Sequence, residues 1–278
     1  MSAASSIFES QVAASPFDCV ASEYDAVFTD SLIGRAQRSA VWTELARAFH
    51  PGDCVLEIGC GTGVDACFLA EQGVSVVACD SSREMIRVAR KRTTNRSPQF
   101  RNASVSLQHC AAEEIARLAS YSPFDGVLSN FGALNCVDDL RQFGQTLSLL
   151  LKPGARVVLC LMGPCCAWEF IWFTLHGNLK RATRRLHRGG TISRIGDGAV
   201  RVRYPKLQTL QRAFAPAFRL RAVKGIGLSV PPTYLAPWAN RFPRALGIAT
   251  ELDHALARCP GIRVLADHIL LILERINS

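Results

Sequence analysis

From residue 54 onward the chain alternates two kinds of apolar spacing. Compact apolar runs lie at about 54–59, 74–79, 105–108, 125–130 and 155–161. Between them, at about 64–72, 82–92, 112–119 and 137–151, apolar positions recur every three or four residues. The runs predict strands buried on both faces, and the intervals predict helices packed by one face. Strict alternation of the two predicts an α/β fold with a parallel, doubly wound sheet and ligands at the carboxyl ends of its strands. Residues 17–50 predict a helical lead-in, which His50-Pro51-Gly52-Asp53 turns into the first strand. Runs at 218–223 and 268–274 predict a sixth and a seventh strand, and 207–214 predicts a further helix.

Two stretches interrupt the alternation. In the first, about 163–203, Trp168, Trp172, Leu175, Leu179, Ala182 and Leu186 recur in steps of four and three. That spacing predicts one amphipathic helix, with Arg181, Arg184, Arg185 and Arg188 facing outward and Gly189-Gly190 ending it. Residues 200–204 predict a short strand. In the second, about 225–262, Pro231, Pro232 and Pro237 precede a helix near 244–258. Residues 1–15 read as a disordered tail, and 16–278 as a single domain carrying both insertions as substrate lids. No apolar run approaches the roughly 18 residues of a membrane span. The first residues lack the basic start and long apolar core of a signal peptide, so a cytoplasmic location is expected.

Charge sharpens the picture at one place. The chain carries a net charge of +9, and residues 176–203, with eight Lys/Arg and one acid, account for +7 of it. The basic character therefore belongs to the first insertion. Eleven cysteines include no Cys-x-x-Cys pair. They read as small core hydrophobes in a reducing compartment, and no metal is expected.

The chemistry is densest at residues 54–63, Cys-Val-Leu-Glu-Ile-Gly-Cys-Gly-Thr-Gly. Gly59, Gly61 and Gly63 form a turn that lets a ligand touch backbone where a helix begins. Asp80 closes the second strand, where an acid can accept from both hydroxyls of a ribose. A dinucleotide fingerprint needs a glycine at the position of Val64, so the unit is a different nucleoside half-site. Glu57 lies within the strand and needs donors of its own, because a buried carboxylate is costly without them.

Glu57-x-Gly59-x-Gly61-x-Gly63 resembles the first motif of class I S-adenosylmethionine-dependent methyltransferases, in their small-molecule, ubiquinone and natural-product branch. Further likeness follows in the family's order: Cys79 to Ile86, Phe124 to Asn135, and Leu151-Lys152-Pro153-Gly154. Together these cover about residues 20–162 closely. The resemblance implies a Rossmann-like sheet of seven strands, with strand seven antiparallel between strands five and six. It also implies S-adenosylmethionine held by Glu57, Gly59, Gly61, Gly63, Asp80, Ser81, Met85 and Asn130. Tyr24 and Arg38, in the lead-in, resemble the family's lid and are expected at the cofactor's carboxylate. Ser81 and Glu84 have the spacing of a helix capping box. One position departs from the pattern: Ala111 stands where an Asp usually takes the adenine amino group, leaving backbone at Ala111 and Ala112 to read that edge.

The acceptor is less defined. The segment Ser129-Asn130-Phe131-Gly132 lacks the paired prolines associated with amino-group methylation of bases, which favours a small lipophilic or aromatic molecule over nucleic acid. Phe131, Asn135, Trp168 and Trp172 are the expected substrate contacts. Glu169, His176 and Tyr204 are the candidate bases. The basic 176–203 segment keeps open an RNA acceptor and peripheral contact with an anionic membrane. A homologue that binds the cofactor without transferring a methyl group is the third alternative.

Overall fold

The computed structural model describes residues 15–276. Most of the expected tail lies outside them. Nine strands follow in chain order: β1 Cys54–Ile58, β2 Ser75–Asp80, β3 Val105–His109, β4 Phe124–Ser129, β5 Leu151–Met162, β6 Thr191–Ile195, β7 Gly198–Val202, β8 Phe218–Ile226 and β9 His268–Arg275. Seven of them form one sheet in the order β3-β2-β1-β4-β5-β9-β8. Strands β1 to β5 run parallel, and β9 is antiparallel to both of its neighbours. The expected seven-stranded arrangement is therefore present. Strands β6 and β7 pair separately as a hairpin.

The helices are α1 Leu32–Ala48, α2 Val64–Glu71, α3 Arg83–Arg96, α4 Leu140–Leu149, α5 Ala167–Leu175, α6 Leu179–Ala182, α7 Leu207–Phe214, α8 Ala236–Arg241 and α9 Pro243–Leu256. They cover both faces of the sheet. Val55, Val76 and Leu128 point to one face, where Val41, Leu45, Leu69 and Ile86 of α1, α2 and α3 meet them. Leu56, Val77 and Val127 point to the other, against Phe143, Leu147 and Phe214 of α4 and α7. This alternation along each strand is why the runs were apolar throughout.

Two local expectations are corrected. The helix expected across 168–186 is broken. Gly177 adopts φ +69, and Asn178 starts a new, short helix by accepting from the Arg181 N–H at 3.1 Å. Trp168 and Trp172 pack on a separate apolar cluster of Ile33, Val230, Leu235, Ala239 and Leu246, which joins both insertions to α1. Leu175, Leu179 and Leu186 are left exposed. The second correction concerns α3, which Ser82 caps by accepting from the Met85 N–H at 3.1 Å. Ser81 is free for the site, and Glu84 pairs with Arg87.

The arginine face also differs from expectation. Arg185 points inward and is buried. Its Nη2 donates to Glu169 Oε1 at 2.8 Å and to Asp267 Oδ1 at 2.6 Å, and its Nη1 donates to the Asp267 carbonyl at 2.8 Å. Arg184 Nε donates to Glu169 Oε2 at 3.1 Å. Burial of Glu169 is costly without partners, so the arginines beside it are recruited inward.

Candidate active site

The carboxyl ends of β1, β2 and β4 converge on a cavity of about 370 Å³. After β1 the chain turns through Gly59 and Gly61 at φ +70 and +52, a region that side chains rarely adopt. At Gly59 a Cβ would stand 2.2 Å from the Ala133 Cβ. At Gly61 the space is open, with no atom within 4 Å of where a Cβ would sit. Asp80 ties this turn to the next one: Oδ2 accepts from the Gly61 N–H at 2.8 Å and Oδ1 from the Ser82 N–H at 2.8 Å. Each carboxylate oxygen thus keeps a lone pair for an outside donor. Burial raises the Asp80 carboxyl above its ordinary value, and the two N–H bonds oppose that.

Beneath the turn, Glu57 is fully buried. Burial and then the nearby Asp65 hold its carboxyl well above the usual range, against the pull of Arg38. Its Oε2 has no hydrogen-bond partner among the described residues. Asp65, in the first turn of α2, is a hub. It accepts from Trp42 Nε1 at 2.6 Å, Arg38 Nη1 at 2.7 Å and Asn130 Nδ2 at 2.9 Å. The Arg38 guanidinium lies 4.9 Å from the Phe131 ring centroid. Phe131 itself sits at φ +45, an uncommon conformation for a bulky residue and one held here by its N–H bond to Asn130 Oδ1 at 3.0 Å.

Two walls of the cavity come from distant parts of the chain. One is the N-terminal segment, which contributes Phe17 and Tyr24. Asp18 fastens it by accepting from Ser82 Oγ at 2.6 Å, and Asp25 by accepting from Thr62 Oγ1 at 2.7 Å and from Arg92. Burial pushes the Tyr24 hydroxyl up to about 12. The other wall is the β6–β7 hairpin, which presents Ser193, Ile195, Val200 and Val202. The two meet at the hairpin tip. A Cβ on Gly196 would lie 2.4 Å from Cys19 Sγ, and one on Gly198 would lie 2.8 Å from the Pro16 Cβ. Ala133, Cys136, Val137 and Met162 complete the lining. Burial pushes the Cys136 thiol up to about 11.

Of the expected site residues, Tyr24, Gly59, Gly61, Asp80, Ser81, Met85, Ala112, Asn130 and Phe131 line this cavity. Glu57 lies below it, Gly63 caps α2, Ala111 precedes Ala112, and Arg38 stands behind Phe131. The expected substrate residue Asn135 is instead a structural clamp. It is fully buried, donating to the Met162 carbonyl at 2.9 Å and accepting from the Met162 N–H at 2.9 Å. Trp168 and Trp172 are in the insertion cluster, not at the cavity. Glu169 is neutralised by two arginines, His176 sits exposed on the Trp172 carbonyl, and Tyr204 faces Thr191 and Arg185. None of these three candidate bases lines the cavity. Sequence reasoning missed Asp65, Glu113, Met162 and the hairpin. An alternating pattern around Gly196-Asp197 was the available sign of the last.

Residues 55–154 match the family model described as a methyltransferase domain. Over that stretch the chain carries a methyltransferase domain similar to those of class I S-adenosylmethionine-dependent enzymes. Its cofactor is S-adenosylmethionine, and three observations fit that group: the open cradle at Gly61, the spare lone pairs of Asp80, and the unpartnered Glu57 Oε2. The chain is 34% identical over 144 residues to a demethylmenaquinone methyltransferase of Clavibacter sepedonicus, covering 52% of this chain and 55% of that protein. It is 32% identical over 152 residues to the tRNA 5-carboxymethoxyuridine methyltransferase of Escherichia coli, covering 52% and 55%. The chain thus spans about half the length of these curated relatives. In fold it resembles an S-adenosylmethionine-dependent methyltransferase of Mesorhizobium loti, with TM-score 0.54, 17% identity, and coverage of 86% and 98%. It also resembles a mycolic acid cyclopropane synthase solved with SAH and CTAB, with TM-score 0.58, 17% identity, and coverage of 86% and 84%.

Proposed function

We propose that this methyltransferase transfers a methyl group to a small, apolar or aromatic acceptor. The observation that carries the reading is the lining of the cavity away from Asp80: Ala133, Cys136, Val137, Met162, Ile195, Val200 and Val202. S-adenosylmethionine, when bound, supplies a methyl group already activated on a sulfonium. In this reading Asp80 takes the ribose hydroxyls, and the Gly59–Gly61 turn and Tyr24 take the amino-acid end. Met85 and Ala112 flank the adenine, and Glu113 at the wall stands near the acid missing at Ala111.

The chain's part is to align the acceptor and exclude water. Tyr24 and Cys136 stay protonated near neutral pH, and among the described residues no histidine lines the cavity. That suits an acceptor whose nucleophilic atom gives up its proton without a strong protein base. The demethylmenaquinone methyltransferase relative supports an aromatic, lipophilic acceptor. The test incubates the protein with methyl-labelled S-adenosylmethionine and demethylmenaquinone or a lipid extract. Label should enter the organic phase and be lost with Asp80→Ala. Cofactor binding with no transfer to any acceptor would leave a non-catalytic homologue.

A second reading, an RNA acceptor, is favoured by a basic cleft. Arg141, Arg188, Arg203, Lys206 and Arg212 line it, and it shares Val137 with the cavity. The tRNA methyltransferase relative supports it as well. Label appearing in tRNA, with binding that falls steeply as salt rises, would select this reading over the first.

A further inference from the structure

We infer that the outer face of residues 164–188 docks on an anionic membrane surface. Phe170, Ile171, Leu175, Leu179 and Leu186 are 53%, 55%, 79%, 63% and 57% exposed. Single exposed apolar residues are ordinary, but five within one short segment form a patch. Beside it runs an apolar groove of about 330 Å³ between Pro164, Ala167, Phe170, Leu186 and Leu265.

The charges around the patch are of one sign. Lys180, Arg181 and Arg188 are exposed there. The segment's one acid, Glu169, is buried against Arg184 and Arg185. A second copy of the chain is a poor occupant. A two-fold contact sets the same patch against itself, cation facing cation with no acid between them. A spanning helix is not the form of the contact either, because among the described residues no helix is long and apolar enough to cross a bilayer. Short broken helices with apolar tips and a cationic rim match the interfacial zone, where side chains enter the acyl boundary and cations meet phosphates.

The position gives the contact a use. Met162 lines the cavity, and the groove begins two residues later at Pro164. The docking face therefore starts where the reaction chamber ends. Binding itself requires neither cofactor nor acceptor, so it is measured independently of the proposed methyl transfer.

The full chain is sedimented with vesicles of phosphatidylcholine alone and of phosphatidylcholine mixed with phosphatidylglycerol. Selective binding to the anionic vesicles is expected. The double substitution Leu175→Gln, Leu179→Gln should weaken it about tenfold or more, as removal of two buried leucines implies. Exchange of Lys180, Arg181 and Arg188 for Gln should weaken it roughly fivefold per charge. S-adenosylmethionine affinity and the thermal midpoint serve as controls and should not move. Wild-type protein that ignores anionic vesicles overturns the inference. So does a dimer by light scattering that the leucine double substitution dissolves, since the patch would then join two copies.

Discussion

At the scale of single residues, Asp80 and Arg185 show how differently two charges can be read. Asp80 was marked by a local spacing, a strand, a glycine turn and an acid at the end of the next strand, and it lines the cavity. Its two oxygens each hold one backbone N–H and keep capacity for a ribose. Asp80→Ala should therefore weaken S-adenosylmethionine binding by about 1.5–3 kcal/mol, the range for a charged hydrogen bond, as calorimetry would register. A folded variant with unchanged affinity would remove Asp80 from the site. Arg185 was misread because helical periodicity was carried across Gly177, itself the local sign of a break. Removing its guanidinium in Arg185→Met leaves Asp267 buried without its arginine and Glu169 with Arg184 alone. The loss of stability should be about 3–5 kcal/mol, measured as chemical unfolding. Adding Glu169→Gln and Asp267→Asn should recover much of it, whereas a purely steric defect would persist.

Among the elements, those of the sheet follow from patterns contained in a few residues, so β1 to β5 fell close to where the apolar runs predicted them. The site's supporting parts did not. The Asp65 hub joins residues from α1, α2 and the β4 turn, and no single stretch of sequence contains it. The hairpin is a different case, since its alternation was present but its neighbour, the basic segment, dominated the reading. Its inner residues Ile195, Val200 and Val202 face the cavity, while Arg194 and Arg201 face solvent. Val200→Asp places a carboxylate on the apolar wall. It should leave cofactor affinity nearly unchanged but reduce transfer to an apolar acceptor by tenfold or more, the cost of an unpaired polar group there being about 1–3 kcal/mol. Equal loss of both would mean the hairpin serves the cofactor instead.

For the whole molecule, the first insertion is attached to the sheet through a buried charged cluster, and pH should reveal it. Burial opposes ionisation of Glu169, but hydrogen bonds from Arg185 and Arg184 bring its carboxyl below the ordinary value. Burial likewise opposes Asp267, and His268 and Arg185 bring it down. Groups depressed in the folded state stabilise it above their unfolded pKa values of about 4, and that contribution disappears as pH falls through the lower folded values. His268 is lowered mainly by burial. It therefore disfavours the fold as pH drops below the unfolded histidine value of about 6.5, where the unfolded chain takes up a proton first. The thermal midpoint should decline in two stages on acidification, and His268→Phe should remove the upper one. A midpoint flat from pH 7 to 5 in the wild type would contradict this. The contact of Gly196 and Gly198 with Cys19 and Pro16 has a kinetic side. Under the proposed function this contact would act as one latch on two doors, one in front of the spent nucleoside and one in front of the methylated product. If that latch sets the pace, turnover becomes insensitive to how reactive the acceptor is, and the first turnover outruns those that follow.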